Sequence, residues 1–286
     1  MNFQAKPLSA GLYFVATPIG SARDITLRAL DILAAADLIA AEDTRTARKL
    51  MDIHGVPLNG RKVVAFHDHS SEGSVNGLVA AIGAGRSVAY VSEAGTPLVA
   101  DPGYELGKAV ISADLPVTAA PGASAVLAAL TVSGLPTDRF AFVGFLSAAK
   151  QQRETEIAAL RDVPFTLVFY ESPKRVQETL VNLRDILGQD RQAVVCRELT
   201  KKFEETTRGS LGELVTGYAD RKVKGELVIL VGRAGATDVA ELDVETALKE
   251  AMKTMRVKDA ATVVAGALGL PRRQVYQTAL HMDDDT

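Results

Sequence analysis

From Gly11 as far as Gly235, short apolar runs alternate with stretches whose apolar residues recur at three- and four-residue spacing. That alternation predicts an α/β architecture assembled from βα units. Strands are expected at Gly11–Thr17, Leu38–Ala41, Lys62–His67, Ser87–Ser92, Pro116–Ala120, Phe140–Phe145, Thr166–Tyr170, Ala193–Arg197 and Glu226–Val231. Their near-continuous apolar character predicts burial on both faces. Between the first two, Asp24 or Thr26 opens a helix with Leu27, Leu30 and Leu33 on one stripe.

Beyond Gly235-Ala-Thr-Asp238, which reads as a linker, the pattern becomes purely helical. Asp243 can cap a helix bearing Val244, Leu248, Met252 and Met255 at helical spacing. A second helix runs from Lys258 to Leu268 and stops at Gly269. Pro271 then occupies the first turn of a third, which reaches Leu280. Helix, short Gly-containing turn and helix make a helix-turn-helix outline. The expected division is 1–120 and 121–236 for two α/β domains and 237–286 for a helical module.

At 286 residues, the chain has room for two ordinary domains and a large core. Its 47% hydrophobic and 23% charged residues are the mix of a globular protein. The net charge of −3, from 32 basic and 35 acidic side chains, is matched by the tail Asp283, Asp284 and Asp285 alone. Any nucleic acid would therefore be met by local patches. One cysteine, Cys196, excludes an internal disulfide or a Cys-rich zinc site and fits a reducing compartment. Leu12–Ile19 is short for a secretory apolar region and runs into Gly20 and Arg23. Leu115–Thr137 reaches spanning length, but Pro116, Pro121 and Pro136 would break a helix in lipid. A cytoplasmic protein with no membrane partner is expected.

Phosphate-loop look-alikes fail on inspection. Gly103-Tyr-Glu-Leu-Gly107-Lys108 is one residue short and ends in Ala109, which has no hydroxyl for magnesium. Gly83-Ala-Gly85 precedes a strand instead of following one, the wrong order for a dinucleotide fold. His67 and His69 lie two apart with no third ligand in view, so no metal is expected. No Gly-x-Ser-x-Gly elbow exists.

The positive signal is collective. Expected strands end in Thr17-Pro-Ile-Gly20, Glu42-Asp-Thr-Arg45, His67-Asp-His-Ser70, Ser92-Glu-Ala-Gly-Thr-Pro97, Pro121-Gly-Ala-Ser124, Tyr170-Glu-Ser-Pro-Lys-Arg175 and Arg197-Glu-Leu-Thr-Lys-Lys-Phe-Glu204. Any one of these is explained by turn and cap chemistry. All of them together point to a ligand at the carboxyl ends of the strands.

These loops, with Asp24-Ile-Thr26, Asp101-Pro-Gly103, Gly144-Phe-Leu146 and Lys224-Gly-Glu226, resemble the ribosomal RNA small subunit methyltransferase I family of the tetrapyrrole methylase superfamily. The resemblance runs in order over residues 11–232 and extends into the helical segment. It implies a two-domain fold with S-adenosylmethionine in the cleft between domains, usually in a homodimer. It implies 2′-O-methylation of a cytidine ribose in the decoding region of 16S rRNA, within the small ribosomal subunit. Carried over by motif, the cofactor would touch Pro18, Ile19 and Gly20, then Glu93, Ala94, Gly95, Thr96 and Pro97. Ser124, Ala125, Tyr170, Glu171, Leu199, Gly225 and Glu226 would complete its site. The chain departs from the family pattern at Ser21-Ala22, Ser70, Glu93 and Ser147.

A ribose hydroxyl is a weak nucleophile, so its proton must be accepted or its developing negative charge stabilised. Asp43 is the candidate base or orienter and Lys201 the candidate cation. The alternatives are that Asp43 pairs with Arg45 or caps the following helix, and that Lys201 holds a phosphate. Arg23, Arg45, Lys174, Arg175 and Lys202 are candidate RNA contacts, joined by Lys249, Lys253, Arg256, Lys258, Arg272 and Arg273 of the helical segment. A tetrapyrrole C-methyltransferase and a non-enzymatic nucleic-acid binder are the rival readings.

Overall fold

The computed structural model describes residues 3–67, 70–234, 241–268 and 270–284. The expected linker Gly235–Asp238, the helix stop Gly269, His69 and Asp285 lie outside them.

Five parallel strands form the first sheet: β1 (Gly11–Val15), β2 (Leu38–Ala41), β3 (Val63–Ala65), β4 (Ser87–Val91) and β5 (Val117–Ala120), in the order β3-β2-β4-β1-β5. Alternate residues of its strands enter two separate cores, as a sheet covered on both faces requires. Val15, Ile39 and Val91 pack under α1 (Leu27–Ala35) and α2 (Thr44–Ile53). Leu12, Phe14 and Tyr90 pack under α3 (Glu72–Gly83) and α4 (Tyr104–Ser112). Thr26 caps α1, its side chain accepting from the Ala29 N–H at 3.1 Å. The buried stripe of that helix is Ala29, Leu30, Ile32 and Leu33, so Leu27 is exposed at its first position.

The next elements are α5 (Ala125–Ser133), β6 (Phe140–Phe145), α6 (Lys150–Ala158), β7 (Thr166–Glu171), α7 (Val176–Leu187), β8 (Gln192–Arg197), β9 (Glu205–Ser210), α8 (Leu211–Tyr218) and β10 (Leu227–Val231). Their sheet runs β6-β7-β10-β8-β9, and only β6 and β7 are parallel. β9 is an unexpected strand. It is a polar, half-exposed edge that pairs antiparallel with β8. One core lies under α6, α7 and α8. The other lies under α5 and also takes in Ile19, which follows β1, and Leu199, which follows β8.

Three helices close the chain: α9 (Glu241–Met252), α10 (Val257–Leu268) and α11 (Arg272–Asp284). They share a core of Val244, Leu248, Val264, Leu270, Val275 and neighbours. Asp243 lies inside α9 rather than before it, so it is not the cap that its spacing suggested. Among the described residues, no helix is long and apolar enough to cross a membrane.

Candidate active site

In the first sheet every carboxyl end points the same way, which gathers the loops after β1, β2, β4 and β5. The second sheet reaches the same arrangement by a different route. Leu227, at the start of β10, stands opposite Glu171 at the end of β7 and Arg197 at the end of β8. Antiparallel pairing thus brings Tyr170, Glu171, Glu198 and Glu226 to one edge.

The loops from the two sheets enclose a cleft of about 530 Å³. Its walls include Pro18, Ile19, Gly20, Glu93, Ala94, Gly95, Thr96, Ser124, Ala125, Tyr170, Glu171, Lys201 and Glu226 from among the expected site residues. Thr17 and Gly95 exchange backbone hydrogen bonds of 2.9 and 3.0 Å, and Thr96 Oγ1 donates to the Ala123 carbonyl at 2.9 Å. The loops after β1, β4 and β5 are therefore tied together. Ser124 caps α5, placing that helix's N-terminus at the cleft wall.

Gly20 marks where the loop after β1 meets the loop after β8. A Cβ there would stand 2.5 Å from Lys201 Cγ and 2.9 Å from the Leu199 carbonyl oxygen. The Ser21 N–H donates to Thr200 Oγ1 at 3.1 Å across the same junction. Ser21, one of the departures from the family pattern, thus contributes a backbone contact.

Pro97, Leu199 and Gly225 flank the cleft without lining it. Pro97 is buried, Leu199 is in the core under α5, and Gly225 packs against the Glu198 carboxyl. Conversely, Glu42, Thr46, Val99, Ala100, Asp101, Phe145, Leu227 and Val228 line the cleft and were not among the expected site residues. Phe145 arrives through a bulge between Phe142 and Gly144 in β6 and meets the Tyr170 ring edge-on at 5.6 Å. The signal for Asp101 was its Asp-Pro-Gly motif, and the signal for Glu42 was its place beside Asp43 at a strand end.

Asp43 is outside this lining. It caps α2, accepting from the Arg45 and Thr46 N–H groups at 2.7 and 3.4 Å, and pairs with the Arg45 guanidinium at 2.9 Å. Those bonds, the Arg45 side chain first, hold its carboxyl at about 2. Asp101 is its opposite. Burial first, then a hydrogen bond with Glu42, raise Asp101 to about 7, against lowering contributions from Ser92 and the Leu98 N–H.

Lys201 lines the cleft with Nζ donating to Glu198 Oε1 and Glu226 Oε2, each at 2.9 Å. Burial lowers its pKa, but the two carboxylates outweigh that and hold it above the usual lysine range. Of the expected RNA contacts, Arg23, Arg45, Lys174 and Lys202 are exposed. Arg175 is engaged instead with the Leu146 and Ser147 carbonyls at 2.7 and 3.0 Å and with Glu171 at 3.6 Å. It fastens the loop after β6. No cluster of three or more His, Cys, Asp or Glu suited to a metal occurs among the described residues.

Residues 11–215 match the family of Tetrapyrrole (Corrin/Porphyrin) Methylases, and residues 238–283 match the RsmI C-terminal HTH domain. The chain belongs to the tetrapyrrole methylase family and, within it, to the ribosomal RNA small subunit methyltransferase I family. The protein of that name from Mesorhizobium japonicum is 45% identical over 98% of this chain and 95% of its own. Its counterpart from Synechocystis sp. is 39% identical over 96% of this chain and 99% of its own. A solved uroporphyrin-III C-methyltransferase from Thermus thermophilus, complexed with S-adenyl homocysteine, shares the fold at TM-score 0.55. That protein is 20% identical, over 78% of this chain and 97% of its own.

The protein is a methyltransferase that uses S-adenosylmethionine. The cleft fits that cofactor chemically. Glu93, Glu171 and Glu226 outnumber Lys201 around it, which suits a sulfonium cation. Tyr170 and Phe145 contribute aromatic rings to its wall, and Ser124 brings the N-terminus of α5 there.

Proposed function

We propose that this methyltransferase acts on the small-subunit ribosomal RNA, methylating the 2′-oxygen of a cytidine ribose in the decoding region. The observation that carries the reading is the extent of the likeness. Relatives named for small-subunit ribosomal RNA correspond over nearly the whole chain, helical module included. The C-methyltransferase likeness covers 78% of the chain. A tetrapyrrole substrate gives no reason for the exposed Lys249, Arg256, Lys258, Arg272 and Arg273 on the terminal helices.

The bound cofactor supplies an electrophilic methyl group. The protein's task is to position a hydroxyl in line with it and to manage that hydroxyl's proton. Pro18–Gly20, Glu93–Thr96, Ser124, Ala125 and Tyr170 are the residues that would hold the cofactor. Lys201 is the cation for negative charge developing at the oxygen. Exposed Arg23, Arg45, Lys174 and Lys202 surround these loops as phosphate contacts. Methyl transfer from labelled cofactor to small subunits lacking the modification, followed by nucleotide mapping, tests the reading. Label in a ribose of the decoding region is expected; label in a base, or none, overturns it.

A further inference from the structure

The loop between β4 and α4 is held in an expensive shape. Leu98 and Ala100, neither of them glycine, sit at φ of 70° and 54°. Such backbone persists only where its surroundings enforce it. Here the enforcement comes from below. The Tyr90 hydroxyl, fully buried, donates to the Pro102 carbonyl at 2.7 Å, and Gly103 rests on the Tyr90 ring. The outcome is that Asp101 is delivered to the cleft wall.

There its carboxyl faces another carboxyl, Glu42 at the end of β2, rather than a cation. Glu42 is itself fixed, its Oε2 accepting from the Glu93 N–H at 3.1 Å. Ser92, only 4% exposed, completes the group from the end of β4. Ser92 Oγ and Asp101 Oδ2 are both buried, and neither completes a hydrogen bond of good geometry. Buried polar atoms are almost always satisfied, and unsatisfied ones beside an open cleft suit a hydroxyl guest.

We infer that the Glu42–Asp101 carboxyl pair is the proton acceptor for the substrate hydroxyl. The inference rests on the functional reading above and names the group that reading leaves unassigned. Burial first, and then the adjoining Glu42 carboxyl, raise Asp101 to about 7. As pH rises through about 7 Asp101 gives up its proton, and the carboxylate so formed is the state a general base needs. The groups around it are Glu42 from β2, Ser92 and Glu93 from β4, and Glu171, Lys201 and Glu226 from the second sheet. The hydroxyl proton passes to the ionised carboxylate oxygen of the pair. As it leaves, the hydroxyl oxygen bonds the methyl carbon and the carbon–sulfur electron pair goes to sulfur. The open cleft then returns the proton to water.

The test uses full-length Asp101→Asn and Glu42→Gln beside wild type, in single-turnover methylation of unmodified small subunits saturated with both substrates. Each variant is expected to lose on the order of 10²-fold in rate. Cofactor affinity by calorimetry, which also reports folding, should stay within about threefold. The wild-type rate should rise across neutral pH, and Asp101→Asn should flatten that rise. In ligand-free protein, carbon-13 NMR should show a carboxyl titrating near 7 that Asp101→Asn removes. Equal ribose methylation by wild type and both variants overturns this assignment alone. Weakened cofactor binding with a normal rate at saturation also overturns it, by making the pair a cofactor grip. A wild-type protein that leaves the ribose untouched overturns the functional reading, and this assignment with it.

Discussion

The N-terminus of α2 and the loop between β4 and α4 each present an aspartate beside the ends of adjacent strands, and the two carboxyls behave oppositely. Asp43 receives two backbone N–H groups and a guanidinium, so its charged form is stabilised and its carboxyl is held at about 2. Asp101 receives burial and a second carboxyl, so its charged form is penalised and its carboxyl is raised to about 7. Identical side chains thus become a helix cap and a proton acceptor. Partners decide the difference, since hydrogen-bond donors favour the anion and desolvation opposes it. Near neutral pH, a carboxylate held at about 2 is a weak base, and one poised at about 7 is a useful one.

Both aspartates have functional meaning only beside a working cofactor cleft, and the largest expected effect comes from removing that cleft. Gly95, at φ +82°, joins the loop after β4 to Thr17, and a Cβ there would stand 3.3 Å from Ile19 Cγ2. Gly95→Val adds a β-branched side chain at a left-handed position. Cofactor binding by calorimetry should fall below detection while circular dichroism shows the fold retained. Unchanged affinity would move the cofactor site away from both aspartates.

Much of this architecture was legible beforehand. β2 and β6 have their expected bounds, and other strands differ mainly at their ends, because apolar runs bounded by turns are local signals. Strand direction was not legible. Nothing in the runs around Val194 or Ile229 says that β8 and β10 pair antiparallel, since that depends on partners distant in sequence. β9 escaped because Glu-Thr-Thr-Arg-Gly-Ser carries the polar surface of an edge strand and reads as loop. At the site, the motifs identified the cleft-lining segments, but not which carboxyl in them is buried. Asp43 looked reactive from its neighbours Glu42 and Arg45, yet its bonds with Arg45 are what make it a weak base. Asp101 gains its character from burial first and then from Glu42, far away in the chain and brought to it only by folding.

Lys201 lines the same cleft from the loop after β8. If the acidic pair takes the proton, a cation is needed where negative charge develops on oxygen, and Lys201 is the ammonium lining the cleft. Lys201→Ala should lower single-turnover methylation by on the order of 10²-fold, with RNA affinity little changed. A phosphate-holding lysine would behave otherwise. Its loss would weaken RNA binding, flatten the salt dependence by about one unit of slope, and spare the rate at saturation.

The smallest effect discriminates between the two aspartates most directly, because it has opposite signs at the two positions and needs no substrate. Asp43 titrates at about 2 in the folded protein against 3.8 for the ordinary side chain, so its stabilisation is complete above 3.8 and disappears as pH falls through 2. Asp43→Ala should therefore lower Tm by roughly 2–4 °C at neutral pH, as for one lost helix cap in a chain of this size, and by progressively less in acid. Asp101 titrates at about 7 when folded, so it costs nothing below 3.8 and its cost grows as pH rises to 7. Asp101→Asn should leave Tm unchanged in acid and raise it by a few degrees above pH 7, the gain appearing between those limits. Thermal melts of the ligand-free variants across that range measure both signs. Parallel curves for the two variants would mean that the strained loop gives Asp101 no environment different from that of a helix cap.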